Sequence, residues 1–168
     1  IPGMQGMEHR IGGLEKEDGS GVVSHDPINH QKMVELRQKK VDDIAKDIPD
    51  LEVIGEQEGD LLLLSWGSTY GAAKTAVENL RASGHKLSFA NLRYLNPFPK
   101  NLAHVLHKFD RVVIPELNLG QLKNLIQAKY LKRIIGINKV QGKPFKSVEL
   151  EEKIKLLLTM TNIKTWDE

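Results

Sequence analysis

Two short segments carry the residues best suited to bind or act on a ligand. In the first, Trp66-Gly67-Ser68-Thr69-Tyr70-Gly71 joins the apolar run Leu61–Leu64 to a segment with Ala73, Ala76, Val77 and Leu80 on one helical stripe. A polar turn that leads a strand into a helix turns backbone N–H groups outward at the positive end of the helix dipole, which suits phosphates and carboxylates. Gly67, Ser68 and Thr69 are therefore candidates to hold a small anion or a cofactor tail; the alternative is an ordinary capped helix start. The glycine spacing is not G-x-G-x-x-G, and no acidic residue closes the following strand where a ribose would sit, so a dinucleotide is not indicated. In the second segment, Pro115-Glu116-Leu117-Asn118-Leu119-Gly120-Gln121 follows another apolar run. In a doubly wound sheet the ends of the first and third strands flank the topological switch point, where ligands bind. Glu116 and Asn118 would then face Ser68 and Thr69 across a crevice, or else serve structure or subunit contact.

No other set of residues completes a reactive constellation. His104 and His107 are three apart on a helical stretch and could share a metal, but no further histidine or carboxylate at suitable spacing joins them. They read as solvated or packed side chains, and His25 and His30, which flank Pro27, are given no role. The chain has no cysteine, which removes disulfides, thiolate nucleophiles and cysteine-held zinc or iron–sulfur sites from it. There is no P-loop, no H-E-x-x-H and no G-x-S-x-G. No catalytic residue and no metal ligand is assigned.

The elements that must position these segments follow from periodicity. The 168 residues suit about one domain. From Asp60 onward, apolar runs alternate with helical stripes. Leu61–Leu64, Lys86–Tyr94, Arg111–Pro115 and Ile134–Ile137 read as strands. The stripes are Ala73/Ala76/Val77/Leu80, Leu102/Val105/Leu106/Phe109, Leu122/Leu125/Ile126 and Leu150/Ile154/Leu157/Leu158. Gly84 is placed to end the first of these helices. Such alternation gives right-handed βαβ units and a sheet covered on both faces, so the predicted fold is α/β, an open, doubly wound, mainly parallel sheet. Residues 1–50 form a different part. Glycines at 3, 6, 12, 13, 19 and 21 punctuate a polar stretch that reads as an extended arm or hairpin turning at Asp18-Gly19, or as a loose linker. A charged helix over about 29–46 follows Asp26-Pro27 and stops at Ile48-Pro49. Residues 51–168 make the α/β domain.

The net charge of +2, from 24 basic and 22 acidic residues, gives no field of the kind that recruits nucleic acid or anionic lipid. No apolar run approaches the roughly 18 residues that span a bilayer. Without cysteine the chain fits a cytoplasmic setting. It opens Ile1-Pro2-Gly3 with no initiating Met, which reads as a processed, trimmed or excised piece of something longer, or as the trace of a removed tag.

From Leu61 onward the chain resembles the carboxyl-terminal domain of transketolase-like enzymes. Three stretches carry the likeness: Trp66-Gly67-Ser68-Thr69 and its alanine-rich helix, Asn91-Leu92-Arg93-Tyr94-Leu95-Asn96-Pro97-Phe98-Pro99, and Val112-Val113-Ile114-Pro115-Glu116 with Asn118-Leu119-Gly120-Gln121. The stretches Glu8–Gly19 and Asn138–Phe145 are similar to those of α subunits of 2-oxoacid:ferredoxin oxidoreductases, the 2-oxoglutarate type above all. That resemblance implies an enzyme that decarboxylates a 2-oxoacid with thiamine diphosphate and Mg²⁺, passes electrons through iron–sulfur clusters to ferredoxin and forms acyl-CoA. It also implies a pyrimidine-type domain preceding this one in the same subunit, a β subunit carrying thiamine diphosphate, and an oligomeric whole. The Gly-Asp-Gly and Asn-Asn signature of diphosphate binding is missing here, so the segment is expected to bind none of these cofactors tightly and to be inactive alone. What it would supply is architecture, with the Gly67–Thr69 and Glu116/Asn118 crevice bordering a CoA or substrate channel. His9, Arg10 and Glu15 are the arm's candidate contacts with a neighbouring chain. Two other readings stay open: an independent anion-binding α/β module, and the equivalent domain of a transketolase or a dehydrogenase E1 β chain.

Overall fold

A computed structural model describes residues 3–8 and 12–160. The expected contacts His9 and Arg10 lie outside the described residues. The chain divides into two compact units, residues 1–47 and 48–168.

In the first unit, helix α1 (Pro27–Asp43) begins where the sequence places its signals. Pro27 takes the first turn, and the Asp26 carboxylate accepts the Asn29 N–H at 2.9 Å. A 3₁₀ turn at Ile44–Lys46 finishes it, so the expected helix divides into two elements. Upstream, the arm is a small hairpin. Lys16 and Val23 bridge antiparallel, Glu17 N–H donates to the Val22 carbonyl at 2.7 Å, and Gly19 takes φ +87° in the turn. Asn29 ties hairpin to helix, donating to the Lys16 carbonyl at 2.9 Å and accepting the Asp18 N–H at 3.0 Å. None of the described residues of this unit is buried. Polar contacts, not a core, hold it together.

The second unit is an α/β sandwich. In chain order its elements are β1 (Val53–Ile54), β2 (Gly59–Trp66), α2 (Tyr70–Ala82), β3 (Ser88–Leu92), α3 (Leu102–His107), β4 (Phe109–Glu116), α4 (Gln121–Tyr130), β5 (Ile134–Asn138) and α5 (Ser147–Thr159). The sheet order is β1-β3-β2-β4-β5, parallel throughout except for β1, which pairs antiparallel with β3. The doubly wound, mainly parallel fold is thus confirmed. The short β1 went unpredicted because two residues leave no periodicity to read.

The apolar runs split between the two faces of the sheet with the two-residue period of a strand. Leu62, Leu64, Val112 and Ile114 pack with α3 and α4, whereas Leu61, Leu63 and Val113 pack with α2 and α5. Burial of each leucine contributes about 1.5–3 kcal/mol. Ala73, Ala76, Val77 and Leu80 form the buried stripe of α2, as their spacing predicts. Gly84, at φ +88°, closes that helix by a Schellman pattern: its N–H donates to the Arg81 carbonyl and the His85 N–H to the Leu80 carbonyl, both at 3.0 Å.

Two core assignments need correction. Phe109 opens β4, pairing in parallel register with Gly59, and does not belong to α3. Its ring joins the same cluster as Leu102, Val105 and Leu106, so spacing along the chain imitates a helical stripe. Leu125 stays 50% exposed, because Leu122 and Ile126 alone turn α4 inward.

Candidate functional site

The carboxyl ends of β2, β3 and β4 meet at the topological switch point. β2 stays paired with β3 to Trp66↔Leu92, and β4 with β5 to Glu116↔Asn138, yet the pairing of β2 with β4 ends at Leu63↔Val113. The two central strands therefore part before their ends, which is the geometry that opens a crevice in such sheets.

On the β2 side, Gly67 sits at φ +54°, a conformation glycine adopts without penalty. Gly67 and Ser68 are exposed, whereas Thr69 is buried and spent on its own turn. Its hydroxyl donates to the Trp66 carbonyl at 2.8 Å and accepts the Trp66 N–H at 3.3 Å. The Ser65 hydroxyl donates to Asn91 Oδ1 at 2.8 Å and locks the ends of β2 and β3 together.

On the β4 side, both sequence candidates face inward to α4. Glu116 is fully buried, and its carboxylate accepts the Leu122 N–H at 2.9 Å and the Lys123 N–H at 3.0 Å. Asn118 Oδ1 accepts the N–H groups of Gly120 at 2.7 Å and Gln121 at 3.0 Å. Together they satisfy the amides that a helix start leaves without partners, and the carboxylate also meets the positive end of the helix dipole. Glu116 and Asn118 thus shape a wall of the crevice and offer it no free carboxylate.

Concave surface lies instead on the β3 side. A cavity of about 240 Å³ is lined by Leu51, Ile54, Tyr70, Asn91, Arg93 and Tyr94 among others, and it also takes Asp50 and Glu52. A shallower depression of about 360 Å³ shares Tyr70, Asn91 and Arg93 and reaches Gly67. Tyr70 rests against Phe89 with ring centroids 5.9 Å apart, which fixes one wall. Neither hollow is lined by Glu116 or Asn118. Arg93 and Tyr94 stand in the loop after β3, within a stretch that the resemblance already singled out. Their part in a cavity was not readable, because it arises only when β1 folds back along the sheet edge.

The remaining candidates lie elsewhere. Glu15 serves its own unit, accepting from Arg37 Nη1 at 3.0 Å and meeting His30 Nδ1 at 2.8 Å, and these partners hold its carboxyl below the usual range. His104 and His107 are exposed on α3, with His107 Nδ1 2.8 Å from the Ala103 carbonyl. Among the described residues no group of three or more His, Asp or Glu is placed to hold a metal ion. Nor is any described helix long and apolar enough to cross a membrane.

Fold and crevice together define a doubly wound α/β domain whose candidate site is a border of strand ends. Residues 59–150 match the family described as pyruvate:ferredoxin oxidoreductase core domain II, and the chain belongs to that family. It is 49% identical over 160 residues to the 2-oxoglutarate oxidoreductase subunit KorA of Mycobacterium tuberculosis, covering 94% of this chain and 24% of that protein. It is 36% identical over 154 residues to the α subunit of 2-oxoacid:ferredoxin oxidoreductase 2 of Aeropyrum pernix, covering 88% of this chain and 24% of the relative. Among solved structures, 2-oxoglutarate:ferredoxin oxidoreductase from Magnetococcus marinus, with 2-oxoglutarate, coenzyme A and succinyl-CoA bound, superposes with a TM-score of 0.85 at 29% identity. That match covers 92% of this chain and 27% of the other. The chain therefore spans about a quarter of the length of these relatives.

Proposed function

We propose that this chain is the core-domain-II part of the α subunit of a 2-oxoacid:ferredoxin oxidoreductase, with 2-oxoglutarate as the oxoacid. The 49% identity across 94% of the chain to a 2-oxoglutarate oxidoreductase subunit is the observation that carries it. In the whole enzyme, thiamine diphosphate would supply the carbanion-stabilising chemistry. The sequence carries neither the Gly-Asp-Gly nor the Asn-Asn of the diphosphate-binding signature, and among the described residues no three His, Asp or Glu side chains gather into a cation site. With no cysteine, the chain also has no thiolate for an iron–sulfur cluster. We therefore place thiamine diphosphate on a pyrimidine-type domain and a β subunit, the clusters on partner chains, and ferredoxin at the assembled enzyme in the cytoplasm.

Within that assembly the segment supplies a rigid α/β block. Gly67 and Ser68, with Thr69 holding their turn and Arg93 beside them, would border the path of an anionic group of CoA or substrate. Glu116 and Asn118 would hold the opposite wall through α4. In the arm, His9, Arg10 and Glu15 would contact a neighbouring chain. The test is to co-purify the full-length α chain with its second subunit and assay viologen reduction dependent on 2-oxoglutarate and CoA. Turnover with 2-oxoglutarate above other oxoacids is expected. A complex that reduces viologen only with a different oxoacid would refute the substrate, and a chain that acquires no partner would refute the assembly.

A further inference from the structure

We propose that the two adjoining hollows beside β3 bind a nucleotide whose base carries an amino group, with phosphate at Asn91 and Arg93 and the base at Tyr94, Asp50 and Glu52. Tyr70, Asn91 and Arg93 line both hollows. The larger one exists because β1 pairs only with Phe89 and Ala90 of β3, and a gap is left between residues 49–52 and the strand end that follows Ala90. The shallower hollow, lined by Gly67, Tyr70, Asn91, Leu92 and Arg93, holds donors and no carboxylate. Ser65 is fully buried, and its hydroxyl donates to Asn91 Oδ1 at 2.8 Å. The amide is planar, so this bond turns Asn91 Nδ2, which has no partner among the described residues, away from Ser65. Arg93 is exposed and likewise makes no hydrogen bond or ion pair among the described residues. An oriented amide and a planar guanidinium with uncommitted N–H donors suit phosphate oxygens.

The neighbouring cavity has a different chemistry, since it adds Asp50, Glu52 and Tyr94. Asn101 clamps the backbone between the two carboxylates: its Oδ1 accepts the Leu51 N–H at 2.8 Å, and its Nδ2 donates to the Leu51 carbonyl at 2.9 Å. Asp50 and Glu52 thus flank a fixed point, and neither pairs with a cation among the described residues. An ionised carboxylate only accepts hydrogen bonds, which suits the exocyclic amine of a base. Tyr70 is held against Phe89, and the ring of Tyr94, 46% exposed, is available to stack a base. Opposite charges line these hollows without neutralising each other. Such a pair fits a ligand with an anionic end and an amine-bearing end better than a small anion, which the carboxylates would repel. The adenine nucleotide end of CoA has both groups, and for that ligand the inference rests on the function proposed above. Free ADP has them too and requires no such reading.

The test is calorimetric titration of the full-length α chain with ADP, CoA, inorganic phosphate and IDP, whose base lacks the amine. Three variants are compared with wild type: Arg93→Gln, Tyr94→Ala, and Asp50→Asn combined with Glu52→Gln. ADP and CoA should bind, IDP about tenfold more weakly, and inorganic phosphate more weakly again. Arg93→Gln and Tyr94→Ala should each weaken both nucleotides about tenfold. The double variant should narrow the difference between ADP and IDP. All three should melt as wild type does, because the exchanged side chains are exposed and unpaired. CoA bound more tightly than ADP would identify the ligand as CoA, and ADP bound as tightly as CoA would identify a free nucleotide. No binding of either to wild type, wild-type affinity in Arg93→Gln and Tyr94→Ala, or loss of binding only in variants that melt lower would overturn the inference. CoA-dependent viologen reduction by the assembled enzyme, with a KM for CoA that Arg93→Gln leaves unchanged, would leave the functional reading standing without this one. Nucleotide binding through Arg93 in an enzyme that does not use CoA would do the reverse.

Discussion

Glu116 is a carboxylate held in the interior by two backbone N–H groups and the start of a helix. Truncation to alanine leaves two buried donors without an acceptor, so Glu116→Ala should cost about 2–4 kcal/mol in denaturant unfolding. Glu116→Gln keeps one acceptor oxygen and should cost roughly half as much. Equal stability of all three proteins would mean that the cap contributes nothing. In the sequence, this residue and Asn118 were visible as polar groups after an apolar strand at the switch point. Their orientation was not, because whether such a carboxylate turns to the crevice or back onto its own helix depends on how tightly the loop closes, and Gly120 at φ +92° lets it close fully. Glu149 behaves differently. Lys139 Nζ meets its two oxygens at 2.9 and 2.7 Å, and the Lys146 N–H donates to it at 3.0 Å, so its carboxyl is held below the ordinary value of 4.5. A lowered folded pKa means stability that is present above the unfolded value and lost as pH falls through the folded one. Glu149→Gln should therefore melt below wild type near neutral pH. The gap should close as pH drops below the ordinary carboxylate range, and a gap independent of pH would show that the ion pair is irrelevant.

At the scale of elements, the strands and helices were legible wherever burial imposed a period. Leu61–Leu64 reads as a strand covered on both faces, and all four side chains are fully buried. α2 is legible for the same reason. α4 was harder, since Leu122, Leu125 and Ile126 all fit one stripe in the sequence while only two of them reach the sheet. Substitution separates the two situations. Leu63→Ala removes a fully buried side chain from the α2/α5 face and should cost about 2–5 kcal/mol. Leu125→Ala removes one that is half exposed and should stay within about 0.5 kcal/mol of wild type. A large loss at Leu125 would show that another surface covers it even in the isolated chain. Arg111 sets the opposite boundary of the sheet. It pairs with Asp60 on β2 and donates to the Leu157 carbonyl near the end of α5, which ties the last helix to the two central strands. No period marks such a residue, because its partners lie 51 and 46 positions away in the chain.

At the scale of the whole chain, the two units differ in kind. Residues 48–168 bury leucines, valines and phenylalanines on both faces of a sheet, and stability of several kcal/mol follows from such a core. The described part of residues 1–47 buries no side chain, and its ties are the Asn29 hydrogen bonds and the exposed pairs Glu15–Arg37 and Asp18–Lys32. Exposed ion pairs contribute about 0–1 kcal/mol each and weaken in salt. An isolated 17-residue helix with a partial stripe is itself marginal in water. A chain shortened to residues 48–160 should therefore unfold with nearly the midpoint and slope of the longer one, since the slope follows the surface newly exposed. In the longer chain, amide exchange over residues 12–47 should run far faster than over β2 and β4, and faster still as salt is raised. A shortened chain that unfolds at markedly lower denaturant, or amides in α1 as protected as those of the sheet, would place the arm inside the cooperative unit. Matching behaviour would mean that the arm gains its order from the rest of the assembled protein and not from a core of its own, since Leu14, Val22 and Ile28 are exposed.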